Sequence, residues 1–240
     1  MSKTSELNRL FKIWQQKQKK ETPESLEKTM LKNTKTILPC FFCEDGIICE
    51  DQYNSEVVKT LFITNEPNIE GQENIDPISS RIKNFKDYKN SHQDDWRGKL
   101  RQRICEILYP AITNTNETYF PVNDGYDNAT KIAFMNLNKR GGKGNTEKHL
   151  KEYCDYYKKE IIEEIKIIDP CVIIWLGKKS FNMCASVLFD NIIDCDNYWI
   201  VTIDNRNIPL ISTYHTSARI SAEKRAEDIK NKYKSIKDNI

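Results

Sequence analysis

The chain has 240 residues, with 37 lysines and arginines against 35 acidic residues and a net charge of +2. That size suits one domain, and so small a net charge argues neither for nor against a nucleic-acid partner. Hydrophobic residues make up 38% and charged residues 30%, enough for a real core, and no apolar run approaches the ~20 residues of a membrane helix.

The opening Met1-Ser2-Lys3-Thr4-Ser5-Glu6 carries no signal-peptide pattern, so a cytoplasmic protein with reduced thiols and no membrane partner is expected. Residues Ser5 to Lys35 read as helical. Leu7, Leu10, Phe11 and Trp14 recur at helical spacing, and Thr22-Pro23-Glu24 is a helix start. An N-terminal helical extension over 1–37 is therefore expected, followed by the main domain over 38–240. Cys40-x-x-Cys43 has metal-ligand spacing, and Cys49 and Cys154 complete one candidate set. A second Cys-x-x-Cys is missing, so neither a metal nor another cofactor is expected. Cys105, Cys171 and Cys184 fall in apolar patterns and read as core residues.

The main domain alternates between strands and helices. An apolar strand over Val57–Ile63 ends abruptly in Thr64-Asn65-Glu66-Pro67-Asn68. The stretch from Arg81 to Arg103 interleaves cations with Phe85, Tyr88 and Trp96, and a helix is predicted over Asp95–Leu108. A strand over Lys131–Asn136 leads into a Gly-rich loop with Lys139, Arg140 and Lys143. A helix over Thr146–Ile168 is stopped by Asp169-Pro170. Cys171–Leu176 is apolar throughout, as a parallel strand covered on both faces should be. A helix over Lys179–Leu188 follows. Strands over Tyr198–Ile203 and Ile208–Thr213 are joined by Asp204-Asn205-Arg206-Asn207, and a charged helix starts near Ser221. This alternation predicts an α/β fold, three layers α/β/α around a mainly parallel sheet.

In open α/β sheets, ligands bind beyond the carboxyl ends of the strands. Three strand ends here carry polar groups suited to chemistry. They are Asn65-Glu66, then Asn136-Leu137-Asn138-Lys139-Arg140, then Tyr214-His215-Thr216-Ser217-Ala218-Arg219. Together they place an acid, amides and an imidazole at one edge of the sheet.

Four segments in order carry a resemblance: Leu61–Asn68, Ala133–Lys139, Asp169–Gly177 and Ser212–Arg219. The chain from about Asp45 to Arg225 resembles the uracil-DNA glycosylase superfamily, with Pro170 to Gly177 similar to its Pro-strand-Leu-Gly segment and His215-Thr216-Ser217 similar to its His-Pro-Ser loop. The resemblance implies a uracil-DNA glycosylase-like fold and a monomer. It also implies a DNA glycosylase that flips out a uracil-like or modified pyrimidine and hydrolyses its N-glycosidic bond. The partner would be double- or single-stranded DNA, in base-excision repair or in defence against phage DNA.

Roles follow from the chemistry of that bond. Glu66 acts as general base or stabiliser of a sugar cation, Asn65 orients the water, and His215 donates to the base oxygen. Asn136 is expected to read the base edge, and Phe85, Tyr88 or Trp96 to stack on the flipped base. Lys139, Arg140, Lys143, Ser217 and Arg219 hold the DNA. Thr64 stands where the family has glycine and Thr216 where it has proline, which points to a base other than uracil. Two alternatives stay open: a non-catalytic DNA-binding member of the superfamily, and an unrelated nucleotide-binding α/β protein using the loop Lys139–Asn145.

Overall fold

The computed structural model describes residues 1–21, 42–67, 78–80, 100–113, 125–140, 147–215 and 217–239. Among them, seven strands form one mixed sheet. Its order is β2 (Gly46–Ile47), β5 (Ala133–Asn136), β3 (Thr60–Thr64), β6 (Val172–Leu176), β9 (Arg206–Thr213), β8 (Trp199–Ile203) and β7 (Ile192–Asp194). The four central strands β5, β3, β6 and β9 are parallel, while β2, β8 and β7 are antiparallel to their neighbours. A separate parallel pair joins β1 (Phe42–Glu44) to β4 (Ile78–Ser80).

The central strands are apolar throughout because both faces of the sheet are covered. Side chains alternate between the two sides of a strand. Leu61, Ile63, Met135, Ile173, Trp175 and Leu210 enter one core cluster, whereas Phe62, Phe134, Ile174, Leu176 and Ile211 enter the other. The first cluster is closed by α1 (Lys3–Lys19), α2 (Glu50–Ser55), α5 (Glu147–Tyr156), α6 (Lys158–Ile168) and α7 (Lys178–Leu188). The second is closed by a π-helical turn (Arg103–Leu108) running into α3 (Tyr109–Thr113), by α4 (Gly125–Thr130) and by α8 (Ala222–Asn239). The expected α/β class with a mainly parallel centre is therefore observed.

The apolar stripe of α1 is an integral part of the first cluster, with Leu7, Phe11 and Trp14 almost fully buried. Burying Leu7 and Phe11 stabilises the fold by about 1.5–3 kcal/mol each. Ser2 caps the helix by accepting a hydrogen bond from the Ser5 backbone N–H at 3.2 Å. The remainder of the expected 1–37 extension lies outside the described residues beyond residue 21.

Local chemistry explains most boundaries. The first expected strand begins three residues late, at Thr60, because Val57 is 93% exposed and outside the core. The single helix expected over 146–168 is two, interrupted at Tyr157, whose backbone leaves the helical region (φ −106°, ψ 18°). Asp169, at φ 55°, ends α6 in the left-handed conformation. Asp204 and Asn205 both have positive φ and form a tight hairpin turn between β8 and β9, as a two-residue connection requires. Cys105 and Cys184 are buried as expected, whereas Cys171 is exposed, since it precedes the first strand residue of β6.

Candidate functional site

Strand order fixes where a site can form. The chain passes from β3 to β5 on one side, with the π-helical turn and α4 on one face of the sheet. It then returns through α5 and α6 on the other face to β6, on the opposite side of β3. The order reverses between β3 and β6, and in open α/β sheets ligands bind at the carboxyl ends of the strands flanking such a reversal. Asn65 and Glu66 follow β3, Gly177 follows β6, and Tyr214 and His215 follow the neighbouring β9.

Gly177 brings these ends together. Its φ is +138°, and a Cβ there would lie 2.8 Å from Ser180 Oγ and 3.9 Å from both Asn65 Oδ1 and His215 Cδ2. Only glycine tolerates this backbone, so the amide and the imidazole approach one bare stretch of chain. The geometry is held from below. Gly177 N–H donates to the Thr213 carbonyl at 3.0 Å, and Ser180 Oγ donates to the Gly177 carbonyl at 3.0 Å. Ser180 Oγ also accepts from Trp175 Nε1 at 3.1 Å.

Asn65 is held by its backbone, its carbonyl accepting from Asn138 N–H at 2.8 Å. Its side-chain Oδ1 is buried and has no hydrogen-bond partner among the described residues. A buried acceptor left unmade costs about 1–3 kcal/mol. Glu66, half-buried beside it, accepts from Asn138 Nδ2 at 3.2 Å through Oε2. Asn138 in turn accepts from the Arg140 backbone N–H at 2.9 Å. It therefore orients Glu66, a role that sequence reasoning missed; its only signal was the repeated amide in Asn136-Leu137-Asn138.

The tautomer of His215 follows from its neighbours. The backbone N–H of Ser217 donates to Nδ1 at 3.2 Å, and Ser217 Oγ lies 2.7 Å from the same nitrogen. A backbone N–H only donates, so Nδ1 is an acceptor and the ring proton sits on Nε2. Burial, followed by the charges of Arg225 and Arg103, pushes the imidazole pKa below its ordinary value of 6.5. The group is a neutral hydrogen-bond donor at neutral pH. Ser217 and Arg219 are exposed on the loop that follows.

The loop after β5 requires corrections. Asn136, expected to read a base, is only 1% exposed and has both ends of its amide engaged inside the fold. Its Oδ1 accepts from Thr64 Oγ1 at 2.8 Å, and its Nδ2 donates to Asp45 Oδ2 at 3.1 Å. Lys139, expected to hold phosphate, has no exposed side-chain surface and pairs with Asp45 and with Glu164, the latter at 3.0 Å. Burial opposes the Lys139 charge, but the two carboxylates outweigh it and raise its pKa above the ordinary lysine value. Burial raises the Glu164 carboxyl well above the usual carboxylate range. Arg140, expected beside Lys139 on the DNA, is 1% exposed and pairs with Glu21, which also accepts from the Tyr157 hydroxyl. All three residues are structural because burying an unpaired charge or amide is far costlier than pairing it.

Phe85, Tyr88, Trp96 and Lys143 lie outside the described residues, as does Cys40. Cys43 is buried and Cys49 half-buried, while the Cys154 thiol, its pKa raised first by burial, hydrogen-bonds with Cys184 on α7. Among the described residues no three His, Cys, Asp or Glu side chains converge in a metal-ligating arrangement. No helix among them is long and apolar enough to cross a membrane.

Compared with known proteins, the chain matches no family model, and no curated protein is significantly similar to it.

Proposed function

We propose that the protein is a DNA glycosylase of uracil-DNA glycosylase-like fold, which flips out a uracil-like or modified pyrimidine and hydrolyses its N-glycosidic bond. The observation that carries this reading is a neutral His215 donor facing, across Gly177, an Asn65 acceptor that has no partner among the described residues, with Glu66 beside them. Hydrolysis of such a bond needs a polarised water, an anion near the developing sugar cation and a donor to the departing base. Asn65 positions the water, Glu66 is the anion and takes the water's proton, and His215 is the donor.

A water donating one hydrogen to Asn65 Oδ1 satisfies the buried acceptor and leaves its other hydrogen for Glu66. The bond from C1′ to the base nitrogen breaks, and the base takes the electron pair. Water oxygen bonds to C1′, and its proton passes to Glu66. His215 Nε2–H donates to the base carbonyl oxygen as negative charge builds there, without surrendering its proton. A neutral imidazole suits that task because it stays matched to a weakly basic oxyanion. Removing one such donor typically costs about 10²–10³ in rate.

Ser217 and Arg219, exposed at the rim, are the residues proposed to touch the phosphate backbone, replacing the buried Lys139 and Arg140 in that role. The enzyme acts as a cytoplasmic monomer on double- or single-stranded DNA. Thr64 and Thr216, at positions where the superfamily has glycine and proline, favour a base other than uracil.

The test is a panel of oligonucleotides, each carrying one non-standard base, incubated with the protein and then with alkali. Strand breaks on at least one member are expected and identify the excised base. Retained DNA binding with no breaks on any member overturns the enzymatic reading in favour of a non-catalytic binder.

A further inference from the structure

We infer that Arg225 is the positioning residue of this site, its guanidinium clamping the turn from His215 to Ala218 so that the imidazole keeps one tautomer and one direction. The inference rests on the proposed base-excision reading for its consequence in catalysis, but its geometry stands apart from it. Arg225 lies in the first turn of α8 and is 1% exposed. Nη1 donates to the His215 carbonyl at 3.0 Å, and Nη2 donates to the Ala218 carbonyl. The same His215 carbonyl accepts from Ala218 N–H at 2.9 Å, which closes the turn. A planar fork that grips both ends of a four-residue turn fixes its shape in a way a single ammonium cannot.

The clamp has a firm base. Thr213 Oγ1 donates to Asp228 at 2.6 Å, and Lys232 donates to the Ser212 carbonyl at 2.9 Å, stitching α8 to the end of β9. The turn in turn aims the Ser217 N–H at His215 Nδ1. The chain of contacts therefore runs from α8 through Arg225 and the turn to the ring nitrogen.

Charge adds to geometry. His215 is faced by Arg225 from α8, by Arg103 from the π-helical turn, by Ser217 from its own loop and by Asn65 across Gly177. Protonating the imidazole would add a third positive charge beside two arginines, so both cations favour the neutral ring. Nothing in the sequence hinted at this, because Arg225 sits among nine other charged residues in an exposed-looking helix that reads as a solvated surface.

The experiment uses the full chain labelled with ¹⁵N. With only three histidines, His215 resolves readily in ring-nitrogen spectra. In the wild type it should be neutral at pH 7, protonated on Nε2, with a midpoint below 6.5. In Arg225→Met the midpoint rises and the single tautomer gives way to a mixture. Base release should fall by about 10²-fold, the scale on which a misplaced catalytic group is felt. Arg225→Lys retains the charge but not the fork, so the midpoint stays low while base release falls about tenfold. An unchanged tautomer, midpoint and rate in folded Arg225→Met overturns the inference. Should that variant fail to fold, a charged or Nδ1-protonated His215 in the wild type, or an Arg225→Lys protein that works fully, does the same. A neutral His215 that depends on Arg225, in a protein that releases no base from any substrate, upholds the clamp and overturns the glycosylase reading instead.

Discussion

Three loops leave the same edge of the sheet, and they treat polar residues in two opposite ways. After β5, an amide and two cations are drawn into the fold, each matched to a partner: Asn136 to Thr64 and Asp45, Lys139 to Asp45 and Glu164, Arg140 to Glu21. After β3 and β9, an amide oxygen is buried with no partner among the described residues, and the imidazole Nε2–H lies across the ring from the Nδ1 that Ser217 engages. Residue type does not separate these loops. Satisfaction does: the loop after β5 is matched within the fold, whereas the loop after β3 leaves an amide oxygen with no partner among the described residues.

That contrast can be broken by substitution. Glu66→Gln should reduce base release by about 10²–10⁴, the range of general acid–base contributions, while DNA binding and thermal stability stay close to wild type. Comparable loss of stability would make Glu66 a matched residue like those of the loop after β5. Lys139→Met leaves Asp45 and Glu164 buried without their cation and should destabilise the fold by about 3–5 kcal/mol, seen as a lowered midpoint of denaturant unfolding. A near-neutral result would mean that water reaches this cluster. Asn136→Ala should cost about 1–3 kcal/mol of stability, and base release by the folded fraction should hardly change. Selective loss of turnover would return Asn136 to base reading.

The pH profile sharpens the comparison further. Because the His215 pKa is lowered in the fold, the neutral donor persists as pH falls through 6.5, and activity is lost only below that value. The same shift makes acid destabilising: between the unfolded value and the lowered folded value the unfolded chain binds more protons, so stability falls as pH drops through that window. A rate that collapses above pH 6.5 would contradict the neutral-donor role. The smallest effect is expected at Arg219, where Arg219→Ala should reduce the slope of log affinity against log salt by about 1, measured by DNA binding at several ionic strengths.

The frame was largely legible in the sequence. β3, β5, β6 and β9 announce themselves as apolar runs ended by turn residues, and the alternation with helices implies their parallel pairing. β2 and β7 were missed because two or three residues carry no periodicity. The position of Asn65, Glu66 and His215 at the sheet edge was legible because a residue directly after a buried strand lies there. The fate of Lys139 and Arg140 was not, since their partners Asp45 and Glu21 are 94 and 119 residues away. A basic loop beside glycines reads locally as a surface, and only the tertiary fold brings the carboxylates to it. Arg225 escaped for the same reason in reverse, a core residue inside a helix of charged neighbours.

The pairing of Glu21 with Arg140 and Tyr157 also constrains how the molecule is made. Helix α1 is synthesised well before α5 and α6, and the contacts of Glu21, two residues beyond it, lie 119 and 136 residues downstream. At about 5–20 residues per second, synthesis alone separates the two sides by roughly 6–27 s. Through that interval Trp14 and Phe11 can meet Phe42, but they lack the part of their core that α5 and α6 supply. Such non-local closure is intrinsically slow, so the amphipathic first helix is the part of the nascent chain most in need of shielding until α5 and α6 arrive.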